Sequence, residues 1–231
     1  AAEISGDPGD LFLAGEALRR AGQAPEARHT LGQALAAAGT GRPALRVALL
    51  SALGDLDWLG GDRPGAAARY REALAESPDR AAARLLAAKL AALEAPALED
   101  AIAPWLLGRG DPAVALARLV RSPAPLARYL AGRALVARGA PGLALPYLEA
   151  ALPGPLPSPD FGLEARRLVA EARCASGDLD GGAAAFAALA GAAGREADRQ
   201  RALWAARRCA FERERWGAPP EAPADWPPRG P

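Results

Sequence analysis

Apolar residues in this chain recur at the spacing of amphipathic helices, and glycine or proline interrupts the pattern at short intervals. The clearest example is the segment 64–78, whose apolar positions are four, three and one residues apart. This spacing places their side chains on one face of a helix. The four residues on this face are Ala66, Tyr70, Ala73 and Leu74. Because the preceding apolar segment ends at the turn-forming sequence Gly60, Gly61 and Asp62, we predict two helices joined by a short turn.

The same arrangement recurs along the chain with constant spacing. A glycine in each first helix is followed seven residues later by a glycine at the turn. These glycine pairs are Gly15 and Gly22, Gly54 and Gly61, and Gly132 and Gly139. Each second helix then has an alanine and a large residue at fixed distances, as in Ala144 and Leu148. In a fourth copy, Gly177 occupies the turn position and Phe186 the position of the large residue, although Gly182 replaces the expected alanine.

These positions resemble the signature of the tetratricopeptide repeat (TPR), with Leu-Gly in the first helix, Gly at the turn, then Ala, a large residue, a second Ala and a closing Pro. The segment from Leu53 to Pro78 carries all of these features. The resemblance implies an all-α fold, a right-handed α-solenoid of TPR-like helical hairpins with a C-terminal capping helix. It also implies that the protein binds other proteins rather than catalysing a reaction.

The repeat pattern predicts a boundary for each part of the chain. We expect an irregular lead-in over residues 1–9, a solenoid over 10–216 and a Pro-rich tail over 217–231, with Asp10 as the first N-cap. The clearest hairpins span about 8–39, 43–78, 125–153 and 161–191, and residues 79–122 form a degenerate middle. The charged helix 195–216 has no second half, so we interpret it as the cap that shields the last apolar face. The total is about twelve helices.

Composition agrees with an all-α class and argues against two kinds of partner. Hydrophobic residues make up 51% of the chain but aromatic residues only 5%, so alanine and leucine must build the core. The 28 basic and 27 acidic residues are balanced, without a basic stripe, and we expect no nucleic-acid binding. No uninterrupted apolar stretch reaches the ~18 residues of a membrane span, so we expect no direct membrane insertion.

The sequence offers no recognisable catalytic, metal or cofactor site. His29 is the only histidine, and no cluster of cysteines or carboxylates accompanies it as a zinc site or a triad would require. Glu149, Glu164 and Glu171 fall where solvated helix faces are expected. We therefore expect a protein that is not an enzyme and has no cofactor.

Two alternatives remain for Cys174 and Cys209, which are 35 residues apart on helices expected to lie side by side. We favour a pair of buried thiols over a disulfide, which becomes possible if the chain is exported.

The first residues, Ala1 and Ala2, fit either a mature end left by signal peptidase or simple removal of methionine. A periplasmic or cell-envelope location is slightly favoured over a cytoplasmic one.

The resemblance to TPR proteins implies a concave groove lined by the first helices, which would hold a peptide or a partner helix. The expected lining consists of Phe12, Glu16, Arg19, Ser51, Asp55, Trp58, Tyr129, Arg133, Arg167 and Glu171. Its aromatic and arginine side chains favour a partner with apolar anchors and some acidic character. The alternative function is a permanently packed structural subunit of a larger cell-envelope or secretion assembly. Apolar residues on a second helix, such as Leu143, Leu145 and Tyr147, are compatible with such a permanent interface.

Overall fold

The computed structural model describes residues 6–76, 78–108 and 111–217, with the side chains of all of these except residues 97 and 212–217. All regular structure in these ranges is α-helical, which confirms the predicted all-α class. The first six of the twelve helices are α1 (Pro8–Arg20), α2 (Ala24–Ala38), α3 (Pro43–Leu59), α4 (Arg63–Ala75), α5 (Arg80–Glu94) and α6 (Pro96–Leu106). The remaining six are α7 (Pro112–Arg121), α8 (Pro125–Ala137), α9 (Pro141–Ala151), α10 (Pro159–Ala175), α11 (Leu179–Ala192) and α12 (Glu196–Gly217).

The chain divides into two compact units, residues 1–115 and 116–231. Within the N-terminal unit, α1 to α6 pack in sequence order, each helix against the one before and the one after. Within the C-terminal unit, α8 to α12 pack in the same way. This order is the one that a helical repeat produces, because each hairpin buries its apolar face against its neighbours in the chain.

The turn glycines have the left-handed backbone that the spacing predicts. At Gly61 φ is +85°, and its N–H donates to the carbonyl of Trp58 at 3.0 Å. The next N–H, of Asp62, donates to Asp57 at 2.9 Å, which completes a Schellman motif. The same pair of hydrogen bonds and a positive φ occur at Gly22, Gly139 and Gly177. Glycine is favoured there because a Cβ atom destabilises this conformation.

A second set of glycines allows the two helices of a hairpin to approach closely. A Cβ atom on Gly132 would lie 2.5 Å from Cγ of Leu148, and one on Gly54 would lie 2.6 Å from the Tyr70 ring. Gly15 stands in the same relation to Leu31. Since the large residue follows its glycine by the same number of positions in each hairpin, the constant spacing in the sequence reflects a constant packing contact.

This contact predicts the effect of adding bulk at the crossing of α8 and α9. Replacing Gly132 with leucine should lower the free energy of unfolding by about 1–3 kcal/mol, because the new side chain would overlap Leu148. Chemical denaturation followed by circular dichroism measures the change. Gly162→Ala is the control, since no atom lies within 4 Å of a Cβ there, and it should be neutral or stabilising by up to about 1 kcal/mol. Equal stability of the two variants would contradict this packing.

The start of the first helix differs from the prediction. Helix α1 begins at Pro8, and the side chain of Asp7, not Asp10, is its N-cap, accepting from the N–H of Gly9 at 2.7 Å. Proline suits the first helical position because its missing N–H would have no partner there and its φ is already helical. The lead-in therefore ends before Pro8. Residues 1–5 and 218–231, which include nearly all of the predicted Pro-rich tail, lie outside the described residues.

Candidate functional site

A buried ion pair joins three helices in the N-terminal unit. Lys89 of α5, the only lysine in the chain, is 2% exposed, and its Nζ lies 2.5 Å from Oδ1 of Asp55 on α3. The same ammonium donates to Ser51 Oγ at 3.0 Å and lies 5.3 Å from the ring centroid of Tyr70 on α4. The Tyr70 hydroxyl donates to Asp55 Oδ1 at 2.8 Å. The charged groups therefore satisfy one another in the interior.

Tyr70 acts in this cluster as a fixed donor. Burial raises its pKa far above the usual value, because the phenolate would be poorly solvated, and the negative charge of Asp55 raises the pKa further. The hydroxyl consequently keeps its proton at any ordinary pH and holds the Asp55 carboxylate in place. A buried carboxylate that already accepts from Lys89 and Tyr70 is poorly suited to receive a partner's side chain.

A second buried carboxylate links neighbouring hairpins. Asp57 on α3 pairs through Oδ1 with Arg28 of α2, and through Oδ2 with Nε of Arg69 on α4 at 2.5 Å. The carboxylate is almost inaccessible to solvent, whereas both arginines remain partly exposed. Arg69 is thus a structural residue that neutralises a buried charge.

Trp58 is buried in this unit, which corrects the expectation that it presents an aromatic face to a partner. Its side chain is 6% exposed and lies 6.4 Å from the Tyr70 ring in an edge-to-face arrangement. The indole N–H donates to Glu99 of α6, and Glu99 also pairs with Arg63. Asp55 is likewise buried, so the expectation that it lines an open groove is also wrong. The sequence pattern of α3 gives no information about helices that follow later in the chain. In the structure, Lys89 of α5 contacts Asp55 and Glu99 of α6 contacts Trp58.

The other N-terminal candidates have partners within their own unit. Arg19 donates to both oxygens of Glu16 at 2.8 and 2.9 Å, and this hydrogen bond is the main cause that raises the pKa of Arg19. Phe12 of α1 packs against the buried apolar cluster of α2 and α3. Ser51 accepts the hydrogen bond from Lys89. The six N-terminal candidates therefore stabilise this unit; Asp55 and Trp58 are buried, and the other four, Phe12, Glu16, Arg19 and Ser51, are partly exposed.

In the C-terminal unit the predicted residues separate into buried and accessible ones. Tyr129 is fully buried, with its ring edge-to-face to Phe161 at 5.2 Å, so the expectation of an accessible aromatic side chain is wrong here too. Arg133 of α8 and Arg167 of α10 have about half of their side chains exposed, 49% and 48%. Both flank Glu164 Oε1, at 3.7 and 3.9 Å.

The three carboxylates of this unit differ from one another. Glu164 is buried, not solvated as expected, because Arg133 and Arg167 cover it with their partly apolar side chains. Glu171 is accessible and pairs with Arg167. Glu149 is also accessible and pairs with Arg173 at 2.7 Å. The structure thus brings Arg133, Arg167 and Glu171 together on α8 and α10 as an accessible charged surface.

This surface borders an open cleft that the sequence pattern does not reveal. The cleft has a volume of about 850 Å³ and lies between α10, α11 and α12. Its lining includes Glu171, Cys174, Leu179, Phe186, Trp204 and Arg208. Trp204 is 39% exposed, and the guanidinium of Arg208 lies 5.7 Å from its ring centroid. The cleft therefore combines apolar and aromatic area with charges of both signs.

The cleft wall contains a disulfide between Cys174 of α10 and Cys209 of α12, whose Cα atoms are 5.8 Å apart. The favoured interpretation of two buried thiols was wrong. Gly182 makes room for the bridge, because a Cβ atom there would overlap Cys174 Sγ and come within 3.0 Å of Cys209 Sγ. The replacement of the expected alanine by Gly182 was the signal in the sequence from which the bridge could have been inferred.

Among the residues that the structure describes, no group of three or more His, Cys, Asp or Glu side chains is arranged to hold a metal ion. His29 is exposed on α2. The described helices also contain none with the length and apolar character needed to cross a bilayer.

The comparisons with known proteins add no relative. No protein-family model, no curated protein and no solved structure matches this chain. The all-helical fold, with neighbouring helices packed in sequence order, is shown by the structure itself. Function has to be argued from the geometry of the two units.

Proposed function

We propose that this protein is a non-catalytic scaffold that binds a peptide or a partner helix, and that the C-terminal unit carries the binding site. The observation that carries this proposal is the open cleft beside α10, with the exposed Trp204 at its edge. Tryptophan and arginine are enriched among the residues that contribute most to protein interfaces, because they combine large apolar area with directed donors. Arg208 provides such donors beside the Trp204 ring, and Arg167 pairs with Glu171, which lines the cleft.

A TPR-like α-solenoid is the architecture that we propose for the helices. Three observations support it: the Schellman turns, the paired small and large residues at hairpin crossings, and the packing of helices in sequence order. In such a solenoid the first helix of each hairpin faces the partner. Helices α8 and α10 are first helices, and they carry the accessible Arg133, Arg167 and Glu171.

The chemistry of the site indicates the partner. Leu179, Phe186 and Trp204 provide apolar contact area, and Arg208 and Glu171 add one charge of each sign. An extended or helical segment with an apolar anchor and a nearby carboxylate fits this combination. The disulfide supports an oxidising compartment such as the periplasm or the cell envelope as the place where the two meet.

Selection from a random peptide library displayed on phage, with the full oxidised chain as bait, tests the proposal. We expect selected peptides to contain an aromatic or aliphatic anchor and an acidic residue. Trp204→Ala and Arg167→Ala should each weaken the selected peptides about tenfold or more, because both remove interface contacts. Arg166→Ala is the matched control, since Arg166 is exposed on the same helix but projects to a different side. Equal effects at Arg166 and Arg167, or no selected peptide, would contradict the proposed site.

One observation favours a second candidate function, a permanent structural subunit. Helix α9 exposes Leu143 to 66%, with Leu145 and Tyr147 half-buried beside it. A permanent subunit would cover such an apolar surface in its assembly. A stable complex purified from the native source that dissociates with Leu143→Glu but survives Trp204→Ala would favour this function over peptide binding.

A further inference from the structure

Helix α12 packs along α11, whereas its attachment to α10 is chiefly the bond between Cys209 and Cys174. Within residues 196–211, whose side chains the structure describes, Cys209 is the only buried side chain. The apolar residues Ala202, Leu203, Ala205 and Phe211 are only partly buried, and the arginines within residues 196–211 are exposed. Because apolar stabilisation scales with the area removed from water, these partly buried residues stabilise the contact with α11 less than fully buried ones would. The bond from Cys209 to Cys174 is therefore a major attachment of α12 to α10.

The two bridged residues both line the cleft but differ in exposure. Cys209 is buried, whereas Cys174 is partly exposed in the wall of the open cleft. Exchange of a disulfide requires a thiolate to reach one of its sulfur atoms. The cleft of about 850 Å³ gives a small dithiol, or a cysteine on an extended segment of another protein, a route to Cys174 Sγ.

We propose that the Cys174–Cys209 bridge is a thiol–disulfide exchange site, at which a dithiol reductant releases α12 from α10. A thiolate of the reductant attacks Cys174 Sγ and forms a mixed disulfide, and Cys209 leaves as a thiolate that takes up a proton. The second thiolate of the reductant then attacks its own sulfur in the mixed disulfide and releases Cys174. The protein gains two electrons and two protons, and the reductant becomes a cyclic or intramolecular disulfide.

Neighbouring residues accommodate both the oxidised and the reduced state of the two cysteines. In the oxidised state Gly182 leaves space for the sulfur atoms. In the reduced state the carbonyl oxygen of Leu179, 3.2 Å from Cys209 Sγ, is an acceptor for the new thiol. Release of α12 opens the cleft, because Trp204, Ala205 and Arg208 of this helix form one of its walls. The exchange goes beyond partner binding and does not require that the cleft binds a peptide.

The test treats the full native chain with dithiothreitol in the absence of denaturant, followed by alkylation with N-ethylmaleimide and mass spectrometry. We expect both cysteines to be alkylated while α1 to α4 keep their protection from hydrogen exchange. Amides of α12 should exchange about tenfold faster or more after reduction, because the helix then opens locally. Resistance of the native protein to reduction, or alkylation without faster exchange in α12, would overturn the proposal.

Variants separate the bridge from the general stability of the fold. The double variant Cys174→Ser, Cys209→Ser should show fast exchange in α12 with or without reductant. Gly182→Ala should be reduced at a lower dithiothreitol concentration than the parent, because its Cβ would overlap the oxidised sulfur pair. Gly191→Ala in the same helix has no atom within 4 Å of the new Cβ and should behave like the parent. Monothiol glutathione should be found attached to Cys174 in peptide maps, and attachment to Cys209 alone would contradict the proposed route.

Discussion

Replacing Asp55 with alanine should lower the free energy of unfolding by about 3–5 kcal/mol, the effect expected when one partner of a buried ion pair is removed. The Lys89 ammonium would remain in the interior without its counter-charge, since Ser51 Oγ is its other hydrogen-bond acceptor in the structure. The Tyr70 hydroxyl would lose its acceptor as well. Urea denaturation monitored by circular dichroism and tryptophan fluorescence measures the loss.

The double variant Asp55→Ala, Lys89→Met identifies the cause of this loss. Removing both charges should restore a large part of the stability, because an apolar pair has no desolvation penalty in the interior. Glu94→Ala is the control, since it breaks the exposed pair with Arg71 and should lower stability by less than about 1 kcal/mol. An Asp55→Ala protein as stable as Glu94→Ala would show that the buried pair contributes little.

Replacing Trp58 with alanine should also lower the free energy of unfolding by about 3–5 kcal/mol, the range for removing a large buried aromatic side chain. The indole fills space beside Tyr70 and donates to Glu99, so its removal leaves a cavity and separates α3 from α6. The same change at Trp204, whose side chain is 39% exposed, should alter stability by less than about 1 kcal/mol. Denaturant unfolding of both variants gives the comparison.

Trp58→Phe separates the two contributions of this residue. Phenylalanine retains much of the apolar contact but lacks the donor to Glu99, so it should lower stability by about 0.5–1.5 kcal/mol, the net value of one hydrogen bond. If Trp58→Ala and Trp204→Ala were equally mild, the side chain would not be the interior anchor that its burial indicates.

The two units use their polar residues differently, and this difference bears on function. In the N-terminal unit, Asp55 and Asp57 are buried and paired, so they lock neighbouring helices together. In the C-terminal unit, Arg133 and Arg167 stay half exposed, and Arg167 pairs with Glu171 of the cleft lining. Under the proposed function, the accessible arginines of the C-terminal unit are better suited to contact a partner than the buried, paired carboxylates of the N-terminal unit.

Much of the fold could be predicted from sequence because the deciding interactions are local. The turns at Gly61 and Gly139 depend on the backbone of a few consecutive residues, and the sequence shows them directly. Apolar spacing within α4 likewise determines which side of that helix is buried. The pairing of Gly54 with Tyr70 follows from the geometry of one hairpin.

The site could be predicted only in part, and the reason is the distance along the chain between interacting residues. Arg133, Arg167 and Glu171 were predicted and are accessible, but they became a distinct surface only when α8 and α10 packed together. The adjacent cleft depends on side chains of α12, and the sequence pattern identifies α12 only as a capping helix. Burial of Glu164 required two covering arginines, one of them on another helix.

The sequence by itself determined the helical class, the turn positions and the small and large residues at hairpin crossings, because these depend on propensity and contacts within one hairpin. Only the tertiary structure decided which polar and aromatic residues lie inside. Asp55 and Lys89 are 34 residues apart, Trp58 and Glu99 are 41 apart, and the bridged cysteines are 35 apart. A helical pattern shows which face a residue occupies, but its burial depends on the side chains that later helices bring against that face.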